Sequence, residues 1–141
     1  MVTAARELVR TAVVDADPDT VWALIGDFHG LAAWHPHVPP SEKDDDGAVR
    51  LFRVDGKVVA RERLLSRDDA ARSYTYTVLD PMLPISDYVA TLAVRPHADG
   101  VSQVVWRADY RAEDAAVPQV EAVFGDGTYG TGLAALQARF A

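Results

Sequence analysis

Glu62 is the residue whose type and position point most directly to chemistry. In the segment VVARERLL the residues alternate between two faces, and Arg61 and Arg63 mark one face as exposed to solvent. Glu62 therefore points to the opposite, inner face. A carboxylate is costly to bury there unless it meets a partner or water, so it indicates a lined cavity in which a proton could be exchanged with a bound molecule. The alternative is that Glu62 reaches solvent or an arginine.

Three other strands place aromatic side chains on the same inner face. Each alternates between large apolar residues and more polar ones, so one set from each strand shares a face. Phenols on such a face either contact a ligand or are core residues with satisfied hydroxyl groups, and both interpretations stay open. The inner sets are Tyr74, Tyr76 and Val78; Tyr88, Ala90, Leu92 and Val94; and Val104, Trp106, Ala108 and Tyr110.

The rest of the chain predicts one antiparallel sheet and one long helix that covers it. A curved antiparallel sheet has one face to bury, and only the last helix is long enough to cover that face, which gives an α+β fold. The elements in chain order are a strand in ELVRTAVVDAD, a helix from Pro18 to about Ile25 capped by Asp17 and Gly26, a helical turn from Leu31 to Trp34, a solvated turn in SEKDDDG, about five strands up to Glu113, and a helix from Pro118 to Phe140.

Composition limits the class of protein. A chain of 141 residues with 49% hydrophobic content fits a single domain spanning residues 1–141. The absence of cysteine excludes disulfides and thiolate chemistry. A net charge of -7 is the wrong sign for binding nucleic acid or anionic lipids, and no apolar run approaches the roughly 20 residues of a membrane span. We expect a cytoplasmic monomer or homodimer without nucleic-acid or membrane partners.

The histidines could also bind a metal ion. His29, His35 and His37 have the spacing H-x5-H-x-H, interrupted by Pro36, and a zinc site would need a carboxylate that converges on the same point. Nothing in the sequence predicts that convergence. The acidic run 44–46 consists of adjacent carboxylates, which are not spaced as in a calcium loop. We therefore expect no metal ion.

Several motifs, in this order, resemble the polyketide cyclase/dehydrase branch of the helix-grip (START-like, SRPBCC) superfamily. They are W-H-P at Trp34–Pro36, E-R-L at Glu62–Leu64, L-P-x-x-D-Y at Leu83–Tyr88 and YGTGLAALQARF in the last helix, and the resemblance covers nearly the whole chain. It implies a sheet of about seven strands around a long C-terminal helix, with two short helices after the first strand. It also implies a deep apolar cavity between sheet and helix, and no cofactor.

The resemblance further implies roles for single residues. In the hormone receptors of the superfamily the glutamate of E-R-L faces the ligand, which agrees with the alternation argument for Glu62. The tyrosine of D-Y contacts the ligand, which supports Tyr88. His35 falls where those receptors have a lysine that meets the ligand's carboxylate. A histidine there could act as an acid or a base near neutral pH, and the alternative is a capping or surface residue.

The segment GDGTYGTG matches the dinucleotide-binding fingerprint G-x-G-x-x-G at Gly125, Gly127 and Gly130. The fingerprint requires a strand before the glycines and an acidic residue about 20 positions further on. Here a helix precedes the glycines, and the chain ends before that position. The match is accidental.

A helical wheel accounts better for part of this glycine pattern. Gly125 and Gly132 fall on one line that faces the sheet. On one side of this line are Tyr129 and Leu136, and on the other are Phe124, Thr128 and Ala135. In the family, Gly132 matches a small or polar position that borders the cavity. The other two glycines fall on the outer side, where we expect a kink or a late helix start near Asp126.

Two functions suit such a cavity, and in a third interpretation the protein's own side chains fill it. The first is an enzyme that holds a polyketide-like or aromatic molecule and promotes its cyclisation or dehydration, with His35 and Glu62 as acid and base. The second is a non-catalytic carrier or sensor of an apolar small molecule, and the third is an assembly subunit whose own aromatic residues fill the cavity. The expected ligand-binding residues are Trp34, Tyr76, Tyr88, Ala90, Trp106, Tyr110, Phe124, Thr128 and Gly132.

Overall fold

A seven-stranded antiparallel sheet curves around the C-terminal helix in the computed structural model, which describes residues 2–141. The strand order is β1-β7-β6-β5-β4-β3-β2. The last strand, β7, pairs with β1, and the two edge strands are β1 and β2. This is the α+β helix-grip fold that the sequence predicts. The strands are β1 Ala4–Val14, β2 Ser41–Asp44, β3 Val49–Val54, β4 Lys57–Asp68, β5 Ser73–Leu79, β6 Ser86–Ala98 and β7 Val101–Ala112.

The first helix begins and ends where the sequence predicts. Helix α1 spans Pro18–Ile25, and the Asp17 side chain caps it by accepting a hydrogen bond from the Thr20 amide at 3.0 Å. A single 3₁₀ turn follows at Leu31–Ala33. The two short helices after the first strand are therefore present.

The acidic segment after residue 40 was predicted to be one solvated turn, and the structure differs from this prediction. Ser41–Asp44 forms the edge strand β2, paired with β3, and only Asp45–Gly47 makes a turn. Charged residues on a short exposed strand are a common way to protect a sheet edge from pairing with other chains. This explains why a strand here has a sequence that is typical of a loop.

The inner face of the sheet is the one predicted from alternation. All eight inner residues predicted for β6 and β7 are at most 3% exposed. Tyr74 and Tyr76 of β5 are equally buried. On β4, Arg61 and Arg63 lie on the outer face, where they pair with Asp80 and Asp45, both exposed.

The C-terminal helix is continuous but is not an α-helix throughout. It consists of α2 (Val117–Val120), a π-helical segment (Glu121–Gly130) and α3 (Thr131–Arg139). Because a π-helix joins residues five apart, the Thr128 and Thr131 hydroxyls donate to carbonyl oxygens five residues earlier, at 3.3 and 3.2 Å. The expected late start near Asp126 is wrong, because the helix already begins at Val117. The alternative of a kink there stays a prediction.

The same winding gives a physical reason for two glycines that the helical wheel leaves on the outer side. A Cβ atom at Gly127 would lie 3.3 Å from the Ala122 carbonyl oxygen, and one at Gly130 would lie 3.3 Å from that of Gly125. Each contact is with the residue five positions earlier. Glycine at these positions therefore relieves crowding between a side chain and the carbonyl oxygens of the π-helical segment.

Candidate functional site

Two adjoining pockets lie between the sheet and the C-terminal helix. The inner pocket has a volume of about 190 Å³ and the outer pocket about 280 Å³, and both are lined by Val59, Ala60, Glu62 and Phe124. The inner pocket adds the phenols of β5 and β6, and the outer pocket opens at the loop between those strands. Other residues that line the inner pocket are Leu31, Phe52, Tyr76, Tyr88, Thr128 and Tyr129.

A larger depression of about 400 Å³ lies further out, and we do not assign the site to it. It shares Val59, Ala60, Asp80 and Met82 with the outer pocket, and its other walls include Val58 and Arg61. Its charged side chains, Arg61 and Asp80, already pair with each other at 3.1 Å. Glu62 and the buried phenols line only the inner and outer pockets, so the groups able to do chemistry are there.

Glu62 lines both pockets and forms an ion pair with Arg50 behind the lining. The Arg50 Nε donates to Glu62 Oε1 at 2.7 Å, and its Nη1 donates to the Phe28 carbonyl oxygen at 2.7 Å. The guanidinium is completely buried, 4.2 Å from the ring centre of Phe28 and 4.9 Å from that of Tyr76. Burial alone would lower the pKa of Arg50, but the Glu62 carboxylate raises it above its ordinary value, so the pair is ionic.

Arg50 was not predicted, because its position depends on a β-bulge. The Asp55-Gly56 turn starts a β3–β4 ladder that, if regular, would place Arg50 opposite Arg61. The register shifts by one residue after Phe52, and Arg50 then faces Glu62. An arginine in a strand is normally an exposed residue, so composition gives no signal. The alternative that Glu62 reaches an arginine is thus what the structure shows, and Glu62 still lines the pockets.

Three phenols form a second polar group in the inner pocket. The Trp106 Nε1 donates to the Tyr76 hydroxyl at 3.0 Å, and the Tyr88 and Tyr129 hydroxyls are hydrogen-bonded to each other. The Trp106 and Tyr129 rings are stacked, with centroids 4.5 Å apart. Burial raises the pKa of Tyr76, Tyr88 and Tyr129 above the ordinary phenol value, so all three hydroxyls keep their protons. Tyr129 was not among the predicted ligand contacts.

His35 is buried against the C-terminal helix and does not line either pocket. Its Nδ1 accepts a hydrogen bond from the His37 amide at 3.2 Å, so the ring proton is on Nε2, which donates to the Thr128 carbonyl oxygen at 2.7 Å. Burial lowers the pKa of His35, so the ring is neutral at pH 7. Within residues 2–141 no hydrogen bond or ion pair joins His35 to Glu62. Its acid/base role stays a prediction.

The other predicted contacts fall into three groups. Tyr76, Tyr88, Phe124 and Thr128 line the inner pocket with Glu62. Trp34, Trp106 and Gly132 surround the His35 ring instead: a Cβ atom at Gly132 would lie 2.8 Å from His35 Cδ2 and about as close to both indoles. Ala90 and Tyr110 are buried in the core and line neither pocket.

The spacing of the helix residues at the pocket follows from the π-helical segment. Phe124, Thr128 and Tyr129 are four and five residues apart, which matches a turn wider than that of an α-helix. A wheel drawn at the α-helical angle already places Tyr129 on the inner side, and this was the available signal for it.

No cluster of three or more His, Asp or Glu side chains suited to a metal ion occurs in the part of the chain that the structure describes. No helix between residues 2 and 141 is both long enough and apolar enough to cross a membrane. The expected absence of a cofactor stays a prediction.

Comparisons with known proteins agree with this architecture. Among solved structures, a protein from Thermobifida fusca is 34% identical, with 95% of this chain and 92% of that chain covered and a TM-score of 0.87. XoxI from Bacillus cereus is 30% identical, with 95% and 94% covered and a TM-score of 0.85. The aromatase/cyclase ZhuI from Streptomyces sp. R1128 shares the fold at 20% identity, with 96% and 93% covered and a TM-score of 0.72.

Among curated protein sequences none matches this chain significantly. The family model described as "Polyketide cyclase / dehydrase and lipid transport" matches residues 5–141, nearly the whole chain. This match spans the sheet, the pockets and the C-terminal helix that carry the candidate site. The chain belongs to the polyketide cyclase/dehydrase and lipid transport family.

Proposed function

We propose that this protein binds a small hydrophobic molecule, polyketide-like or aromatic, in its inner and outer pockets and catalyses its cyclisation or dehydration by acid/base chemistry. The family description and the fold shared with an aromatase/cyclase support a role of this kind. The partner is then a small apolar or aromatic molecule and not nucleic acid. We keep the expectation of a cytoplasmic monomer or homodimer that needs no cofactor.

The Glu62 carboxylate is the observation that carries this proposal. Arg50 holds Oε1, whereas Oε2 makes no hydrogen bond to any residue between 2 and 141, and Glu62 lines both pockets. A fixed carboxylate with one free oxygen in an apolar site is suited to remove a proton from a bound molecule. In a cyclisation, the carbon that loses its proton to Glu62 attacks a second carbonyl carbon. In a dehydration, loss of the proton is followed by departure of a hydroxyl group, which takes the proton from Glu62 and leaves as water.

The walls of the pockets favour a molecule of one or two rings without charge. The combined space is at the small end of the range for ligand pockets, about 300–1,000 Å³. The charges of Arg50 and Glu62 cancel, and the phenols are neutral. A charged ligand would lose its hydration in this site without gaining an opposite charge.

One observation favours the alternative function, a non-catalytic carrier or sensor. The Glu62 carboxylate is already engaged by a buried arginine at 2.7 Å, so only one of its two oxygens is available to a bound molecule. In a carrier, the same pair would only provide a polar contact for the ligand.

Base-promoted ring opening of nitrobenzisoxazole tests this proposal without knowledge of the natural substrate. A base removes the one carbon-bound proton of its isoxazole ring, the N–O bond breaks, and a coloured phenolate forms. We expect wild-type protein to accelerate this reaction, and Glu62→Gln to lose on the order of 10²-fold in rate.

The matched control is Glu42→Gln, which removes a glutamate that pairs with Arg53 at 2.6 Å but lies at the surface of β2, 54% exposed. It should keep the wild-type rate. Equal rates for wild type and Glu62→Gln would contradict the catalytic proposal. If aromatic ligands nevertheless raised the melting temperature and were recovered unchanged, the carrier function would replace it.

A further inference from the structure

The phenols of the inner pocket have more hydrogen-bond donors than their mutual contacts use. Tyr76, Tyr88 and Tyr129 carry three hydroxyl protons, and Trp106 adds an indole N–H. The indole N–H donates to the Tyr76 oxygen, and one phenolic proton forms the hydrogen bond between Tyr88 and Tyr129. Among the hydrogen bonds of residues 2–141, no acceptor takes the second proton of the Tyr88–Tyr129 pair or the proton of Tyr76, which lies near the Tyr88 oxygen.

Both unused protons belong to residues that line the inner pocket together with Glu62. The rings of Tyr76 and Tyr88 are neighbours, with centroids 6.5 Å apart. Because Trp106 donates to the Tyr76 oxygen, the Tyr76 hydroxyl is polarised toward donating its own proton. The lining of the pocket therefore combines two donors with a carboxylate acceptor.

We propose that the three phenols form a binding site for a carbonyl oxygen of the substrate, next to the carbon from which Glu62 removes a proton. This inference rests on the proposed function and adds the residues that contact the oxygen. Tyr76 supplies one hydrogen bond, and the Tyr88–Tyr129 pair supplies the second from whichever hydroxyl is free. Tyr76 is thus a catalytic residue.

The step is a proton transfer whose charges balance within the site. Glu62 Oε2 takes the proton from the carbon next to the carbonyl, and the C–H electron pair forms a carbon–carbon double bond. The carbonyl π electrons move onto oxygen, and the resulting enolate oxygen accepts hydrogen bonds from the phenols. Such donors stabilise the charge that develops on oxygen in the transition state. The enolate then either regains a proton or attacks a carbonyl carbon.

A ligand pair that differs only in the carbonyl group tests the binding part. α-Tetralone and tetralin share one two-ring skeleton, and calorimetric titration gives the ratio of their affinities for each variant. We expect Tyr76→Phe to lower the preference for tetralone by roughly two- to tenfold, the value of one neutral hydrogen bond.

The number of hydroxyl protons predicts that replacement of Tyr88 or Tyr129 affects the preference for tetralone differently from replacement of Tyr76. In Tyr88→Phe or Tyr129→Phe the remaining hydroxyl no longer donates to its neighbour and is free for the ligand, so each single variant should keep most of the preference. The double variant should lose it by about as much as Tyr76→Phe. These variants also keep the proposal testable if Tyr76→Phe fails to fold because the Trp106 N–H loses its acceptor.

Deuterium uptake into α-tetralone from heavy water tests the catalytic part. Wild-type protein should exchange the protons next to the carbonyl, Glu62→Gln should not, and Tyr76→Phe should be slower by on the order of 10²-fold. An unchanged tetralone preference in all phenol variants would overturn the carbonyl site and leave the proposed function intact. Failure of wild type to bind either ligand would overturn both, and binding without exchange would overturn the role of Glu62 as base.

Discussion

Replacement of either member of the Arg50–Glu62 pair is the most informative test of how the site is held together. Arg50 is completely buried, and the Glu62 side chain is 14% exposed. Removal of one partner of a buried pair leaves an uncompensated charge and costs about 3 to 5 kcal/mol. That is a large share of a domain's stability, which is about 5 to 15 kcal/mol. We therefore expect Arg50→Met and Glu62→Leu each to lower the free energy of unfolding by about this amount.

The difference in burial predicts which single variant suffers more. Glu62→Leu leaves a guanidinium with no access to water, whereas Arg50→Met leaves a carboxylate that retains some. Glu62→Leu should therefore be the less stable protein. In the double variant neither charge remains, so the two losses should not add, and the coupling free energy should be at least about 2 kcal/mol.

Urea unfolding followed by far-UV circular dichroism measures all four proteins of this cycle. The control is the Arg53–Glu42 pair, also joined to strand β3, with an N–O distance of 2.6 Å but side chains that are 47% and 54% exposed. Its coupling should be no more than about 1 kcal/mol. Equal coupling in the two pairs would show that burial of Arg50 contributes nothing and would refute this reasoning.

Two further predictions concern His35 and the glycines of the C-terminal helix. Burial lowers the pKa of His35 below its ordinary value of 6.5. The unfolded chain therefore takes up a proton at higher pH than the native protein does. The stability that neutral His35 contributes is lost as the pH falls from about 6.5 through the lowered pKa. His35→Gln should remove this loss in urea titrations at several pH values, with the exposed His97→Gln as control; an unchanged pH dependence would contradict the assignment. Gly132→Ala should lower stability by about 1 to 3 kcal/mol, because its Cβ atom would meet three packed rings. Gly125→Ala should cost less, because two of the three atoms that its Cβ atom would meet belong to the movable end of Arg10 and only one, a methyl carbon of Leu8, belongs to the core. Equal melting temperatures for the two glycine variants would contradict this difference.

Alternation along strands was sufficient to predict the inner face of the sheet. It placed Glu62 at the cavity and Tyr76, Tyr88 and Trp106 in the interior, because a two-residue period depends only on local backbone geometry. The family resemblance supplied the architecture, which the structure shares.

Register and helix winding could not be predicted in the same way. The bulge that brings Arg50 opposite Glu62 shifts β3 relative to β4 by one residue, and no single strand records it. The π-helical segment makes hydrogen bonds between residues five apart, and a wheel drawn for an α-helix omits this winding. His35 was placed by alignment, which says nothing about which backbone groups its ring nitrogens contact.

A crystal structure of this protein with α-tetralone tests the central claim most directly. The account predicts the two-ring ligand in the inner pocket, with its carbonyl oxygen within hydrogen-bond distance of the Tyr76 hydroxyl and the adjacent carbon facing Glu62 Oε2. The Arg50–Glu62 ion pair should remain in place. Tetralone bound only in the larger depression beside Val58 and Arg61, or an inner pocket closed to it, would contradict the account.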